Sequence, residues 1–202
     1  MTTFLSPKAS SRRTISRCIE DCVPEPAKFV PGVTPVPISG KVYDSEELVA
    51  AVNAILDGHW TDGPIADEFE QRLAKVTGSR CAAFCNSGSS ANLLALSALT
   101  SEELGDRRLR PGDEVVTAAC CFPTTVNPIV QLGMVPVFVD VELETYLPKK
   151  ESIEKACKSK SVKAAMFAHT LGNPLDLHTI NFGAYDCDWV IEDCCEDRKS
   201  VV

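Results

Sequence analysis

The fold of this chain is decided by residues 114–140, which read EVVTAACCFPTTVNPIVQLGMVPVFVD. Two short apolar runs, Glu114–Ala118 and Val135–Val139, flank a segment, Pro123–Leu132, that we expect to be helical. Both runs are continuous rather than alternating, which is typical of strands covered on both faces. Two such strands joined by a helix form a right-handed βαβ unit, and this unit predicts a parallel sheet.

The same alternation of strands and helices continues on either side of this unit. Further strands are predicted at Cys81–Cys85, Lys163–Ala168 and Trp189–Glu192, and further helices at Ser89–Leu99, around Ser152–Cys157 and at Asp176–Tyr185. Two amphipathic helices are expected upstream. Asp44 and Glu47 form a capping box at the start of the first, and Pro64 opens the second. The sequence therefore predicts an α/β fold with a mostly parallel sheet and flanking helices.

The region before these helices has a different composition. Residues 1–18 are rich in Ser and Arg and contain no acidic residue, which is typical of an organelle transit peptide and also of a loosely packed helix or tail, the interpretation we favour. Residues 23–40 contain five prolines, which favour an extended arm. We therefore predict two parts, a helix and arm at 1–40 and an α/β domain at 41–202.

Bulk composition argues against several classes of function. The formal net charge of −8 argues against nucleic acid as the main partner. No apolar run approaches the roughly 20 residues that a membrane-spanning helix needs. The ten cysteines include no C-x-x-C pair and there are only three histidines, which argues against a zinc finger or zinc ribbon. We expect a cytoplasmic protein, without a membrane partner, whose cysteines are mostly reduced.

The segment Asn86–Asn92, NSGSSAN, follows a predicted strand and opens a helix. Gly88 allows a tight turn, the N–H groups of the first helical turn point outward, and Ser89 and Ser90 add hydroxyl donors. Together these groups form an anion site suited to a phosphate. Taken alone, the motif is weak evidence for such a site, and an ordinary strand–helix turn with a serine cap is the favoured interpretation.

Three more strand ends carry residues of chemical interest. Phe122 could stack on a flat heterocycle, or it could be a core residue. Asp193 could pair with the ring nitrogen of a pyridoxal cofactor, or it could cap a helix. His169 could face a cofactor or serve a structural role. Ligands of open α/β sheets bind at the carboxyl ends of the strands. There the sequence places a phosphate site, an aromatic ring and a carboxylate, and this combination favours a phosphorylated aromatic cofactor.

The chain resembles the DegT/StrS sugar aminotransferases, which are fold-type I pyridoxal-phosphate enzymes. The resemblance covers roughly residues 35–195, and within the family it is strongest to the branch of CDP-4-keto-6-deoxy-D-glucose 3-dehydratases. It is carried by DGHWTDGP at 57–64, FE at 69–70, NSGSSANLLALSALTS at 86–101, LGDRRLRPGDEVVT at 104–117, FPTTVNPIVQ at 122–131, VPVFVDVE at 135–142, AHTLGNP at 168–174 and IEDCC at 191–195.

This resemblance implies a role for each matching residue. Gly88, Ser89 and Ser90 would hold the phosphate of pyridoxamine 5'-phosphate or pyridoxal 5'-phosphate, Phe122 would stack on its ring, and Asp193 would pair with its nitrogen. In the dehydratase branch a [2Fe–2S] cluster receives electrons from a flavin/iron–sulfur reductase, and Cys195 would be one of the cluster's thiolate ligands. The substrate would be a nucleotide-linked sugar, and the active enzyme a homodimer.

The resemblance also implies that the chain is the N-terminal part of a longer protein. The family's Schiff-base lysine, which is a histidine in the dehydratase branch, would lie beyond Val202, together with the small C-terminal domain. We expect the intact protein to dehydrate a 4-keto-6-deoxyhexose at C3 in deoxysugar or O-antigen biosynthesis, and this chain to be inactive. The alternatives are a nucleotide-sugar aminotransferase, a non-catalytic remnant, and a metal-binding cysteine protein.

Overall fold

The computed structural model describes residues 9–23, 28–36, 42–58 and 60–197. Its helices are α1 (Ala9–Cys22), α2 (Ser45–Leu56), α3 (Pro64–Thr77), α4 (Gly88–Ala98), α5 (Pro123–Gln131) and α6 (Lys150–Cys157), and its strands are β1 (Glu114–Ala118), β2 (Val135–Val139), β3 (Val162–Ala168) and β4 (Trp189–Asp193). Single 3-10 turns or short 3-10 helices occupy Glu102–Arg107, Thr170–Gly172, Leu177–Thr179 and Phe182–Ala184. None of the helices within these ranges is long and apolar enough to cross a membrane.

The four strands form one parallel sheet in the order β2-β1-β3-β4. The predicted βαβ unit is confirmed, since β1 and β2 pair along their whole length with α5 between them in the chain. All four strands run in the same direction, so their carboxyl ends meet at one edge of the sheet. Ala168 and Asp193 are paired at that edge.

Helices cover both faces of the sheet, which explains why the strands read as continuous apolar runs. On one face Leu96 of α4 and Ile129 of α5 pack with Met166 of β3. On the other face Ile153 of α6 packs with Phe167 of β3. Both clusters consist of side chains that are almost fully removed from solvent. Neighbouring residues of β3 thus face opposite cores, as the strand period of two requires.

The described residues up to Arg72 and those from Leu73 onward form two compact units. In the first unit α2 begins at the predicted capping box. The side chain of Asp44 accepts the backbone N–H of Glu47, and the side chain of Glu47 accepts the backbone N–H of Asp44. Arg12 of α1 forms an ion pair with Asp57 at 2.6 Å. The predicted arm and transit-like segment lie partly outside the described residues, as does the boundary predicted after residue 40, which stays a prediction.

Two predicted elements are wrong. Residues 81–85 adopt no strand, because a strand needs a hydrogen-bonded neighbour and these residues have no ladder partner within the described sheet. Residues 176–185 form two separate 3-10 turns instead of a helix. The extended conformation of Ile180 (φ −95°, ψ 121°) separates the two turns. The other predicted strands and helices are confirmed to within two residues at each boundary.

Candidate functional site

A cleft of about 430 Å³ lies at the carboxyl ends of β1, β3 and β4. Four segments line it: the start of α4, the β1–α5 connection, the residues after β3 and the end of β4. The lining comprises Gly88, Ser89, Asn92, Cys120, Cys121, Phe122, Pro123, Thr124, Ala168, His169, Thr170, Asp193, Cys195 and Glu196. Its position is the one that ligands take in open α/β sheets, and its volume suits a small molecule.

The start of α4 presents free N–H groups to this cleft. Ser87 caps the helix in an extended conformation, and its hydroxyl accepts the N–H of Ser90 at 3.2 Å. The carbonyl of Ser87 accepts the N–H of Ala91. The N–H groups of Gly88 and Ser89 have no partner among the described residues, as expected in the first turn of a helix. Two residues with unpartnered N–H groups, at the positive end of the helix, therefore line the cleft at this point.

The three residues predicted to hold a phosphate do not share one environment. Gly88 and Ser89 line the cleft, whereas Ser90 lies outside its lining. The N–H of Ser90 is bound by the Ser87 hydroxyl, and the two hydroxyls are 3.2 Å apart. The cap thus uses the N–H of Ser90, whose hydroxyl accepts that of Ser87, and the phosphate role of Ser90 stays a prediction.

Phe122 lies at the N-cap position of α5, immediately before Pro123. Its side chain is 66% exposed and lines the cleft, so it is not a core residue. Proline at the first helical position fixes the direction of the chain at this point. An exposed aromatic ring at the mouth of a cleft offers a flat apolar surface on which a heterocycle can stack.

Asp193 ends β4 and its carboxylate accepts three hydrogen bonds. Oδ2 accepts the side-chain N–H of Asn92 at 2.8 Å and the hydroxyl of Thr125 at 3.0 Å. Oδ1 accepts the backbone N–H of Cys195 at 3.2 Å. The carboxylate is therefore held in one orientation at the cleft. It does not cap a helix, because no helix follows it within the described residues.

His169 is 3% exposed and both of its ring nitrogens are engaged. Nδ1 accepts the backbone N–H of Leu175 at 2.9 Å, so the proton of the neutral ring is on Nε2. Nε2 then donates to the carboxylate of Glu192 at 3.0 Å. The ring lines the cleft, but its nitrogens serve to hold the loop after β3 against β4.

Three cysteines at this edge, Cys120, Cys121 and Cys195, line the cleft. Cys195 is exposed, and its Sγ would lie 3.8 Å from a side-chain carbon placed on Gly88. Burial raises the pKa of the Cys121 thiol, and burial raises that of Cys194 to about 11. Within the part of the chain that the structure describes, no three His, Cys, Asp or Glu residues are grouped so as to hold a metal ion.

The sequence predictions missed several residues of the site. Asn92 and Thr125 bind Asp193, and Cys120, Cys121 and Glu196 line the cleft. Two signals were available in the sequence. Asn92 lies four residues after Gly88 and so shares its helix face, and the cysteine pair directly precedes Phe122 at the end of β1.

The sequence and the structure were both compared with known proteins. The model of the DegT/DnrJ/EryC1/StrS aminotransferase family matches residues 42–199. The chain is 51% identical over 172 residues to the lipopolysaccharide biosynthesis protein RfbH of Salmonella typhimurium, covering 85% of this chain and 39% of that protein. It is 51% identical over 173 residues to dTDP-4-dehydro-2,6-dideoxy-D-glucose 3-dehydratase of Saccharopolyspora spinosa, covering 85% and 37%.

A solved structure shows the same arrangement of elements. GDP-4-keto-6-deoxymannose-3-dehydratase, solved with a trapped PLP–glutamate geminal diamine, superposes with a TM-score of 0.72 at 33% identity. The match covers 82% of this chain and 42% of that one. The parallel sheet with flanking helices therefore corresponds to the large domain of fold-type I enzymes. The chain spans about 40% of the length of the relatives that it matches.

Proposed function

The chain belongs to the DegT/DnrJ/EryC1/StrS aminotransferase family, and we propose that its cleft binds pyridoxamine phosphate or pyridoxal phosphate. One observation supports this above all. The carboxylate of Asp193 is held by three hydrogen bonds in the same cleft as the free N–H groups of α4 and the exposed ring of Phe122. These three features match the nitrogen, the phosphate and the ring face of the cofactor.

The chemistry of the cleft fits this group part by part. Gly88 and Ser89 would bind the phosphate through their N–H groups, Phe122 would stack on the ring, and Asp193 would accept the N–H of a protonated ring nitrogen. Bound in this way, the cofactor would supply an amine or aldehyde for covalent attachment of a substrate and a ring that accepts electrons.

The described residues that line the cleft are suited to bind and orient a cofactor rather than to transfer protons. The lining of the cleft includes no lysine, and its histidine, His169, uses both ring nitrogens within the chain. A general base must be free to reach the proton that it removes. We therefore expect this chain by itself to bind the cofactor without converting a sugar.

For a protein of the full length of these relatives, we propose the dehydration at C3 of a nucleotide-linked 4-keto-6-deoxyhexose in deoxysugar or lipopolysaccharide biosynthesis. Support comes from the names of the relatives, two of which are 3-dehydratases of nucleotide-linked sugars. A cytoplasmic homodimer, a [2Fe–2S] cluster and a reductase partner belong to the same proposal. Cys195 is the candidate cluster ligand, since it is exposed at the cleft beside Gly88.

A nucleotide-sugar aminotransferase is the second candidate, and the description of the family supports it. Mass spectrometry of the sugar product separates the two reactions in a full-length protein. Dehydration removes the oxygen at C3, whereas transamination replaces the oxygen at C4 by an amino group. A third candidate, a non-catalytic remnant, predicts that this chain does not bind the cofactor.

Titration of the purified chain with pyridoxamine phosphate, followed by the absorbance of the ring, tests the proposal. We expect saturable binding at one site. Asp193→Asn should weaken it at least about tenfold, because a hydrogen bond to a charged group contributes about 1.5–3 kcal/mol. Asp140→Asn is the matched control, since Asp140 follows β2 at the same edge of the sheet but outside the cleft. Absence of binding, or equal binding by all three proteins, would contradict the proposal.

A further inference from the structure

The two oxygens of the Asp193 carboxylate differ in how many hydrogen bonds they accept. Oδ2 accepts two, from Asn92 Nδ2 at 2.8 Å and from Thr125 Oγ1 at 3.0 Å. Oδ1 accepts one, from the N–H of Cys195. Since each carboxylate oxygen offers about two acceptor positions, Oδ2 is saturated and Oδ1 retains one open position. A ligand that donates to Asp193 would therefore bind to Oδ1.

The orientation of the Asn92 side chain is determined by its neighbours. Its Nδ2 donates to Asp193 Oδ2 and, at 3.3 Å, to the backbone carbonyl of Thr124. Both neighbours are acceptors, so the amide nitrogen rather than the amide oxygen must face them. The side chain is almost fully buried, at 6% exposure, although it is polar. Burial of an amide is costly unless its donors are used, and here both are used.

Asn92 also connects two parts of the cleft. It lies one helical turn after Gly88, whose N–H is free at the start of α4. A helix is rigid over one turn, so the distance between the N–H groups at its start and the carboxylate that Asn92 holds is fixed by α4 itself. Thr125 makes the matching contact from α5 and is fully buried.

We propose that Asn92 is a positioning residue, which together with Thr125 saturates Oδ2 of Asp193 and so presents Oδ1 to the ring N–H of the bound pyridine cofactor. The inference rests on the proposed function and adds to it a residue that acts through Asp193. It predicts that loss of Asn92 weakens the contact with the ring nitrogen while the contacts with the phosphate and the ring face persist.

The test compares two ligands on the 202-residue chain. One is pyridoxamine phosphate, and the other is its 1-deaza analogue, in which a C–H group replaces the ring nitrogen. Asn92→Leu keeps the branching of the side chain at Cγ and removes its donors. We expect it to weaken the binding of pyridoxamine phosphate about tenfold and to change the binding of the deaza analogue less than about threefold. Asn127→Leu, an exposed asparagine of α5 outside the cleft, should change neither.

A second pair of variants keeps the inference testable if Asn92→Leu does not fold. Circular dichroism would show whether it folds. Thr125→Val removes the hydroxyl at constant shape, whereas Thr125→Ser retains it, so only the valine variant should bind pyridoxamine phosphate more weakly. Equal losses for both ligands, or no loss for either, would show a merely structural role and overturn the inference alone. If the unaltered chain binds neither ligand, the proposed function fails and the inference fails with it.

Discussion

The two cysteines that follow Asp193 have different surroundings, although they are neighbours in the chain. Cys194 is half-buried, and burial is the main reason that the pKa of its thiol rises to about 11; the carboxylates of Glu192, Asp197 and Asp193 contribute further. Cys195 is exposed at the cleft. Because the thiolate is the reactive form, the two thiols should respond differently to an alkylating reagent.

We predict that the rate of alkylation of Cys194 by iodoacetamide rises about tenfold for each pH unit from pH 8 to pH 10, without levelling off. Over that range the thiol with a pKa of about 11 remains mostly protonated, so its thiolate fraction keeps growing in proportion to hydroxide. Peptide mapping by mass spectrometry measures the rate at each cysteine. The chain unfolded in urea is the control and should level off near the ordinary pKa of 9.0. Levelling near pH 9 in the folded chain would contradict the prediction.

At the residue scale, the sequence could predict the carboxylate of Asp193 but not the side chains that donate hydrogen bonds to it. An apolar strand that ends in an acidic residue is visible in the sequence, and so is the aromatic residue Phe122 between β1 and α5. The side-chain donors to Asp193 are Asn92 and Thr125, which are 101 and 68 residues away in the chain. Their contacts arise only when α4 and α5 pack against the same face of the sheet, and no local pattern encodes that packing.

At the element scale, success depended on whether an element is determined by its own residues. α2 and α3 begin and end where local caps and glycines allow, so the sequence predicted them. Residues 81–85, in contrast, could form a strand only beside a hydrogen-bonded neighbouring strand, which the described sheet does not provide. In residues 176–185, Leu177 and Ile180 have helical spacing and are both buried, but Leu177 belongs to a short turn and Ile180 is the extended residue that ends it. Apolar spacing alone therefore could not distinguish buried turns from a helix.

The connection from β3 to β4 contains a strained residue. Leu171 has a left-handed backbone (φ 56°, ψ 26°), which is unfavourable for a residue with a side chain. Its side chain is 67% exposed, so little burial compensates for the strain. Its N–H is bound by the carboxylate of Glu196, which explains how the conformation is maintained.

We predict that Leu171→Gly raises the free energy of unfolding by up to about 1 kcal/mol. The change removes left-handed strain of about 1–2 kcal/mol and adds part of the flexibility of glycine to the unfolded chain. Leu143→Gly is the matched control, because Leu143 is also highly exposed but has no positive φ. It should lower stability by about 0.5–1 kcal/mol. Urea unfolding measures both values, and a lower midpoint for Leu171→Gly would contradict the prediction.

At the scale of the whole molecule, neither the net charge of the chain nor the charged side chains that line its cleft attract an anionic ligand. The chain has a formal net charge of −8, and the lining of the cleft includes Asp193 and Glu196 but no lysine or arginine. A phosphate bound there would depend on neutral N–H groups and the helix end rather than on a cation. The long-range field of the chain would meanwhile repel an anionic ligand.

Salt should therefore not weaken the binding of pyridoxamine phosphate. From about 20 to about 200 mM NaCl, the screening length falls from above roughly 10 Å to below it, which removes repulsion between the acidic chain and the phosphate. We expect the affinity to stay constant or rise up to about threefold in an absorbance titration. Pyridoxamine, which lacks the phosphate and carries an ammonium group, is the control and should bind more weakly as salt increases. A more than threefold loss of affinity for pyridoxamine phosphate would instead indicate that a cation outside the described lining holds the phosphate.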